Sequence, residues 1–500
     1  MTVYRLHVEQ QRLGVAQANR RLGGRPINTH ARLPIVFSAV IGAILMVFAG
    51  GARAADKGLL DVLLENGAIT QEQYENLLEQ ETLTSADILQ ETGGANAADE
   101  TPVAEEVTEL DDTSMIATHV GSGFRFETRD GNWRTELQWR AQLRATSPIN
   151  SDPRQLSSFG AEDQVNFEAR RLRMKIGGYG YQPWMEYYFE VDLQPFRDVD
   201  DSVASSSAQV IDWRADIAKW NWGGIRVGQW KVDLNRERVD SSGRQQFVER
   251  SIVNRIFTID RQVGVQVRGR AFKDTRADLR YWAGVFNGEG KGTRNYNSDM
   301  MYMARLQWNF LGRDLSWRQT DIEYTEMPTG SLAIAGFTNT SACTRWSSSG
   351  CGNLDGFQSP LTADPDQFEI DQAVQEFAFK YRGLSIQQEY HEKNILDSSD
   401  GRRYELTGGY LQAGYFFHNL FEKIPAPLEF AARFAAVNEP NAVNRTFENE
   451  RREYTIGANW FFSGHNNKLT VDLSRLTLDD GLVGIDESEN RLRFQWDVSF

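Results

Sequence analysis

Between Gln164 and Leu193 the chain sets a row of cations along one side of an extended segment. Arg171, Arg173 and Lys175 alternate with Leu172, Met174 and Ile176. The next segment alternates Met185, Tyr187, Phe189, Val191 and Leu193 with Glu186, Tyr188, Glu190 and Asp192. Side chains of a strand point to opposite faces with a period of two, so each segment has one apolar and one charged face. A guanidinium stays charged, and its planar fork donates paired hydrogen bonds. A row of arginines is therefore suited to non-covalent binding of anions, carboxylate and phosphate above all. The adjacent row of acids opposes that field. No nucleophile with a neighbouring base stands out, and the six histidines show no metal-ligand spacing, so neither catalysis nor a metal or other cofactor is expected.

The same alternation recurs along the chain. Leu137, Trp139, Ala141 and Leu143 alternate with Gln138, Arg140, Gln142 and Arg144, and Ile211, Trp213, Ala215 and Ile217 with Asp212, Arg214 and Asp216. Arg268, Arg270, Arg280 and Arg305 fall on the charged parity of later segments. In a soluble sheet the apolar face turns inward, whereas a transmembrane barrel puts it on lipid and lines a wet lumen with the charges. The spacing predicts strands at 133–145, 164–176, 185–193, 210–220, 224–232, 261–272, 277–286, 299–310, 315–326, 373–382, 384–393, 404–417, 428–437, 452–462, 468–478 and 489–500. Their connections alternate short (Asp274–Arg276, Gly312–Asp314, Gly383) with long (Asn287–Ser298, Met327–Gln372, Asn394–Arg403, Asn438–Arg451), as in outer-membrane barrels. That makes sixteen strands, an even number, with a short extra one at Gly123–Arg129 read as an N-terminal extension. Sixteen strands enclose an aqueous channel.

The ends agree with a membrane barrel. Arginines from Arg5 to Arg32, the apolar run Ile35–Ala49 and Ala52-Arg53-Ala54 read as a cleaved signal segment, residues 1–54. Its removal takes seven arginines and a single acid, Glu9, from a chain whose net charge is already −15. That leaves no basic footprint for nucleic acid. Residues 55–83 read as a periplasmic helical hairpin: Asn66-Gly67 caps the first helix, and Thr70 with Gln73 opens the second as a capping box. Residues 84–118 form an acidic linker, and 119–500 the barrel. The final segment, ENRLRFQWDVSF, puts Leu492, Phe494, Trp496, Val498 and Phe500 on one parity. An aromatic alternating strand ending in Phe looks like the assembly signal of bacterial outer-membrane barrels. No further apolar run is long enough for a membrane helix.

Cys343 and Cys351 lie in the longest predicted loop and are expected to pair in an oxidising compartment. Gly288-Glu289-Gly290-Lys291-Gly292-Thr293 lacks the spacing and following helix of a phosphate cradle, and reads as turn glycines. Asp479-Asp480-Gly481 with Asp486 reads as a solvated loop in preference to a calcium site.

From Gly121 to Phe500 the sequence resembles the phosphate- and polyphosphate-selective porins of Gram-negative outer membranes. The resemblance rests on three stretches. In DGNWRTELQWRAQLRA, Arg140 and Gln142 match the family's first-strand pair. In FEARRLRMKIGG, Arg170 and Arg171 match its arginine pair. LNRERVDSSGRQQFVERS is similar to its inward-folded third loop, with Arg236 or Arg238 at a basic position and Arg250 in the closing Glu-Arg pair. The resemblance implies an all-β, 16-stranded antiparallel transmembrane β-barrel, preceded here by the helical hairpin. It also implies a homotrimer in lipid and lipopolysaccharide, and a pore whose Arg and Lys guide small anionic solutes. The expected anion-binding set is Arg140, Arg144, Arg170, Arg171, Arg173, Lys175, Arg236, Arg238 and Arg250. Two features weaken the phosphate expectation. Met327–Gln372 carries a single basic residue, Arg345, and the lumen parity also holds Glu136, Glu186, Glu190, Asp192, Asp212 and Asp216. The alternatives are a general, weakly selective porin, or a structural protein tethering the envelope through its N-terminal helices.

Overall fold

The computed structural model describes residues 114–147, 165–193, 208–354, 356–440, 447–480 and 485–500. The signal segment, the helical hairpin and most of the acidic linker lie outside the described residues. A hairpin of β1 (Met115–His119) and β2 (Phe124–Thr128) comes first, so the last residues assigned to the linker are already strand. A meander follows: β3 (Arg134–Ser147), β4 (Asn166–Gly180), β5 (Gln182–Asp192), β6 (Gln209–Trp220) and β7 (Gly223–Lys231). The third long loop carries two short helices, α1 (Arg236–Val239) and α2 (Ile252–Phe257). Next are β8 (Arg261–Ala271), β9 (Leu279–Phe286), β10 (Met301–Trp308) and β11 (Thr329–Ser341), then a loop hairpin of β12 (Arg345–Ser347) and β13 (Gly350–Gly352). The chain continues through β14 (Phe368–Tyr381), β15 (Leu384–Asp397), β16 (Arg402–Tyr415), β17 (Leu428–Pro440), β18 (Phe447–Ser463), β19 (Asn467–Asp480) and β20 (Ile485–Ser499).

From β3 onward, β12 and β13 apart, each strand pairs antiparallel with the next, and β20 returns to β3 with Leu492 opposite Ser147 and Ser499 opposite Arg140. The wall is a closed 16-stranded barrel. Below Ser499 the same edge of β3 is taken over by β2, with Phe124 opposite Leu137 and Glu127 opposite Arg134. The N-terminal hairpin thus continues the lane of β20. Trp139 and Leu143 of β3, Phe189 of β5, Trp213 of β6 and Phe434 of β17 are exposed on the outside, while Arg140, Gln142 and Arg144 are buried inside. Apolar side chains out and charges in is the arrangement of a membrane barrel.

One predicted strand is wrong. Leu315–Glu326 is not a strand; it belongs to the connection between β10 and β11, and the strand that completes the wall is β11, inside the stretch read as loop. The mistake has a physical cause. The first half of the inner face of β11 is Thr329, Ser331, Ala333 and Ala335, too small to register as a periodic pattern. Leu315 and Gln319 alternate and are buried because their loop folds into the barrel, not because it is a strand.

The interior is not evenly hollow. Ile252, Val253, Ile256 and Phe257 of the third loop pack with Trp346 and Leu354 of the β12–β13 loop against inward residues of β11 and β14–β17, among them Phe337, Phe368, Ile370, Tyr404 and Val437. The lumen-facing side chains of β14 and β15 are buried beneath this plug, whereas Lys175, Arg214, Arg268, Arg270 and Arg280 on β4–β9 keep solvent exposure. Solvent thus reaches the lumenal face of β4–β9 at these side chains.

Candidate functional site

The basic strands β3 and β4 meet the third loop across the lumen. Strict alternation would turn Arg170 toward lipid, next to inward Arg171. A β-bulge prevents this: Gln142 faces Arg171 and Leu143 faces Ala169, so Arg170 is the extra residue and both arginines are buried on the inside. Both close on one acid of the third loop. Glu249 Oε1 accepts Arg144 Nη2 at 2.8 Å and Arg170 Nε at 3.0 Å, with Arg171 Nη2 at 3.4 Å. Glu168 lies 3.7 Å from Arg144 and 3.8 Å from Arg170.

Arg140 holds the tip of the loop, donating to Ser241 Oγ at 2.9 Å and Ser242 Oγ at 3.0 Å. Gln142 donates to the Ser242 carbonyl at 3.0 Å and accepts from Arg171 at 2.9 Å. Gly243 leaves room for the Arg140 guanidinium, which a Cβ there would strike. Arg173 turns to the neighbouring strand, 2.8 Å from Glu190 and 3.2 Å from Asp192.

The three arginines predicted on the loop itself are tied into it. Arg250 Nε donates to the Glu237 carbonyl at 2.7 Å and Nη2 to the Asp240 carbonyl at 2.6 Å. Lys231 donates to the carbonyls of Val239 at 2.9 Å and Asp240 at 3.1 Å. Together they cover the C-terminal carbonyls of α1, which lack intrahelical partners. Burial, with Arg238 close by, lowers Arg250 to about 10. Arg238 pairs with Asp260; burial pushes that carboxyl up, but Arg238 and Arg261 outweigh it and hold it at about 2. Arg236 is 1% exposed, donates to the Ser316 carbonyl at 2.5 Å and lies 5.3 Å over the Trp317 ring. Glu237 accepts the Ser251 N–H at 2.7 Å and its hydroxyl at 2.8 Å, and burial pushes it up to about 7.

Two lumenal cations remain uncommitted. The side chains of Lys175 on β4 and Arg244 at the loop tip have no ion pair or hydrogen bond among the described residues, and Arg244 is exposed. Each lies within electrostatic reach of the other. Arg244 follows from no sequence pattern: SSGRQQ is an ordinary polar turn until Arg140, Gln142 and Gln319 are in place around it.

The family model for phosphate-selective porin O and P matches residues 147–495. The chain belongs to that family. It is accordingly an outer-membrane porin, a channel in place of an enzyme. No curated protein matches the sequence. Solved structures similar to this porin include a loop-deletion mutant of OmpT, an outer membrane protein of Vibrio cholerae, at 11% identity and TM-score 0.48, covering 74% of this chain and 100% of that one. The outer membrane channel DcaP of Acinetobacter baumannii has 11% identity and TM-score 0.48, covering 75% and 99%. An anion-selective porin from Comamonas acidovorans has 10% identity and TM-score 0.43, covering 73% and 99%.

On the loop side of the porin, Cys343 and Cys351 are joined by a disulfide that closes the β12–β13 hairpin. Gly288, Gly290 and Gly292 all have positive φ, and the N–H groups of Gly290 and Gly292 donate to Gln262 at 2.9 Å and Gln229 at 2.5 Å. They build a turn whose amides are already used.

Proposed function

We propose that this porin is a passive diffusion channel with a preference for small anions, phosphate among them. The observation carrying this reading is that the side chains of Lys175 on the wall and Arg244 on the loop make no ion pair among the described residues, while the nearby wall acids are engaged elsewhere. Glu190 is held by Arg173 at 2.8 Å, Asp212 by Arg261 at 2.8 Å and Asp216 by Arg226 at 2.6 Å. An unpaired guanidinium beside a water-filled path lowers the energy of a passing anion and raises that of a cation. The paired arginines act differently: they fasten the loop and so fix where Arg244 stands. The same reading takes the porin as a homotrimer surrounded by membrane lipid and lipopolysaccharide.

Reversal potentials in a KCl gradient test the proposal. The unmodified channel should favour chloride, and Arg244→Gln with Lys175→Gln should move it toward neutrality. Cation preference, or no change in the double variant, would overturn it. Block of chloride current by micromolar phosphate would add a specific phosphate site. A second reading, a general and weakly selective porin, is favoured by Glu186, an exposed acid lower on the same wall without an ion pair among the described residues. Equal passage of both ions would support it.

A further inference from the structure

We infer that the constriction is assembled from both mouths of the barrel, and that Arg318, on the loop from the short-turn end, is a second selectivity residue paired in action with Arg244. The inference rests on the anion-preferring reading above.

Seven connections lie at the short-turn end, most of them tight: Tyr181 alone joins β4 to β5, and Arg382-Gly383 joins β14 to β15. The connection at 309–328 is long and turns inward, with Leu315, Gln319, Thr320 and Asp321 each no more than 3% exposed. Besides the Arg236 bond to the Ser316 carbonyl, three hydrogen bonds through Gln319 knit it to the third loop. Its N–H donates to Asp240 Oδ2 at 3.2 Å, its side-chain amide donates to Gln245 Oε1 at 2.8 Å, and its Oε1 accepts the Gln246 N–H at 2.8 Å. Both flanks are pinned as well. Trp317 receives the guanidiniums of Arg236 at 5.3 Å and Arg305 at 4.7 Å on its ring, and the Thr320 carbonyl accepts Lys380 Nζ at 2.8 Å.

Arg318 directly precedes Gln319, and Arg244 directly precedes Gln245. The Gln319–Gln245 bond therefore stands one residue away from each guanidinium. Consecutive Cα atoms are about 3.8 Å apart, so the two arginines flank a single rigid seam. Among the described residues the Arg244 side chain has no ion-pair or hydrogen-bond partner, and Arg318 pairs with Glu323 of its own loop, with side chains 33% and 64% exposed. The acid on the other side of the seam, Asp240, is occupied by the Ser241 and Gln319 N–H groups. Arg318 lies within electrostatic reach of Arg244, and Asp240 acts on Arg244 in the opposite sense. Two like charges held at a wet seam are relieved by a passing anion. Because one is borne by each loop, a solute from either mouth meets a cation before it meets the narrowest point.

The test uses the full-length porin in planar bilayers, with correct folding checked by heat-modifiable migration. Arg318→Gln should lower the anion-to-cation permeability ratio by about twofold, the order expected of one screened charge near the path. Arg318→Lys should retain the ratio. Glu323→Gln, which frees Arg318, should raise it. A ratio unmoved by both Arg318→Gln and Glu323→Gln overturns the inference. If Arg244→Gln shifts the ratio while these two do not, only the role of Arg318 fails; if Arg244→Gln is also silent, the anion reading fails with it. Arg318→Cys should be blocked by an anionic thiol reagent added at the short-turn mouth, and unimpeded labelling without change in current would count against the placement.

Discussion

Replacing Glu249 by Gln keeps the size of the side chain and one acceptor oxygen, yet removes the charge on which Arg144, Arg170 and Arg171 converge at 2.8, 3.0 and 3.4 Å. At an effective dielectric of about 20, each contact near 3 Å contributes roughly 5 kcal/mol of attraction. Repulsion among the three guanidiniums and the desolvation of all four groups cancel most of it. What remains is the cost of removing the acid these buried charges share, about 3–5 kcal/mol. Even the lower figure corresponds to a change of roughly 100-fold in the balance between docked and lifted loop. Two readouts should therefore move together. Single-channel current should become noisy as the third loop lifts, and the selectivity ratio should shift further toward anions, because net positive charge is uncovered. The unfolding temperature in heat-modifiability assays should fall. A quiet channel with unaltered conductance and unfolding temperature would refute the idea that Glu249 fastens the loop.

The other expectations are smaller. Gly243→Ala puts a methyl group against the Arg140 guanidinium, so overpacking of about 1–3 kcal/mol should detach Arg140 from Ser241 and Ser242 and change conductance; an unchanged conductance would refute this. Glu289 is 4% exposed, its Oε1 has no hydrogen-bond partner among the described residues, and burial pushes it up to about 7. Its neutral form is the one the fold favours, so its contribution is full below about 4.5 and is lost as pH rises through about 7. Loop protection against proteolysis around the Cys343–Cys351 hairpin should weaken over that window, and Glu289→Gln should flatten the profile. A profile identical in the two proteins would dismiss Glu289 as its source.

Much of the wall was legible because lipid and lumen impose opposite demands on alternate residues, which β3, β4 and β5 meet with large apolar and charged side chains. β11 was not legible, since the first half of its inner face is Thr, Ser and Ala and carries no contrast. Residues 315–326 misled for the converse reason: Leu315 and Gln319 are buried by a loop turned inward, and burial of that kind mimics a strand face. The site was legible by residue type and not by role. Arg170 points inward only because of a bulge, which a period of two does not register. Arg236, Arg238 and Arg250 are basic residues in the right loop, but Trp317, Asp260 and four backbone carbonyls engage them. Those partners become neighbours only after the chain has folded. Arg244 has the reverse history, unremarkable in sequence and with a side chain left without a partner among the described residues.

The lane shared by β2 and β20 bears on the order in which the wall can form. β3 must wait for β20, a partner from the far end of the sequence, and such distant contacts are slow because a long chain must first be closed on itself. Until then an open strand edge invites pairing with other chains. The β1–β2 hairpin is local to β3 and can form on the microsecond scale typical of hairpins, roughly 1–10 μs. It covers Arg134–Leu137 early and leaves Arg140–Ser147 as the part of the edge still open. The hairpin thus works as a selvedge: it shortens the raw edge that the nascent sheet exposes and marks the point at which β20 must stop.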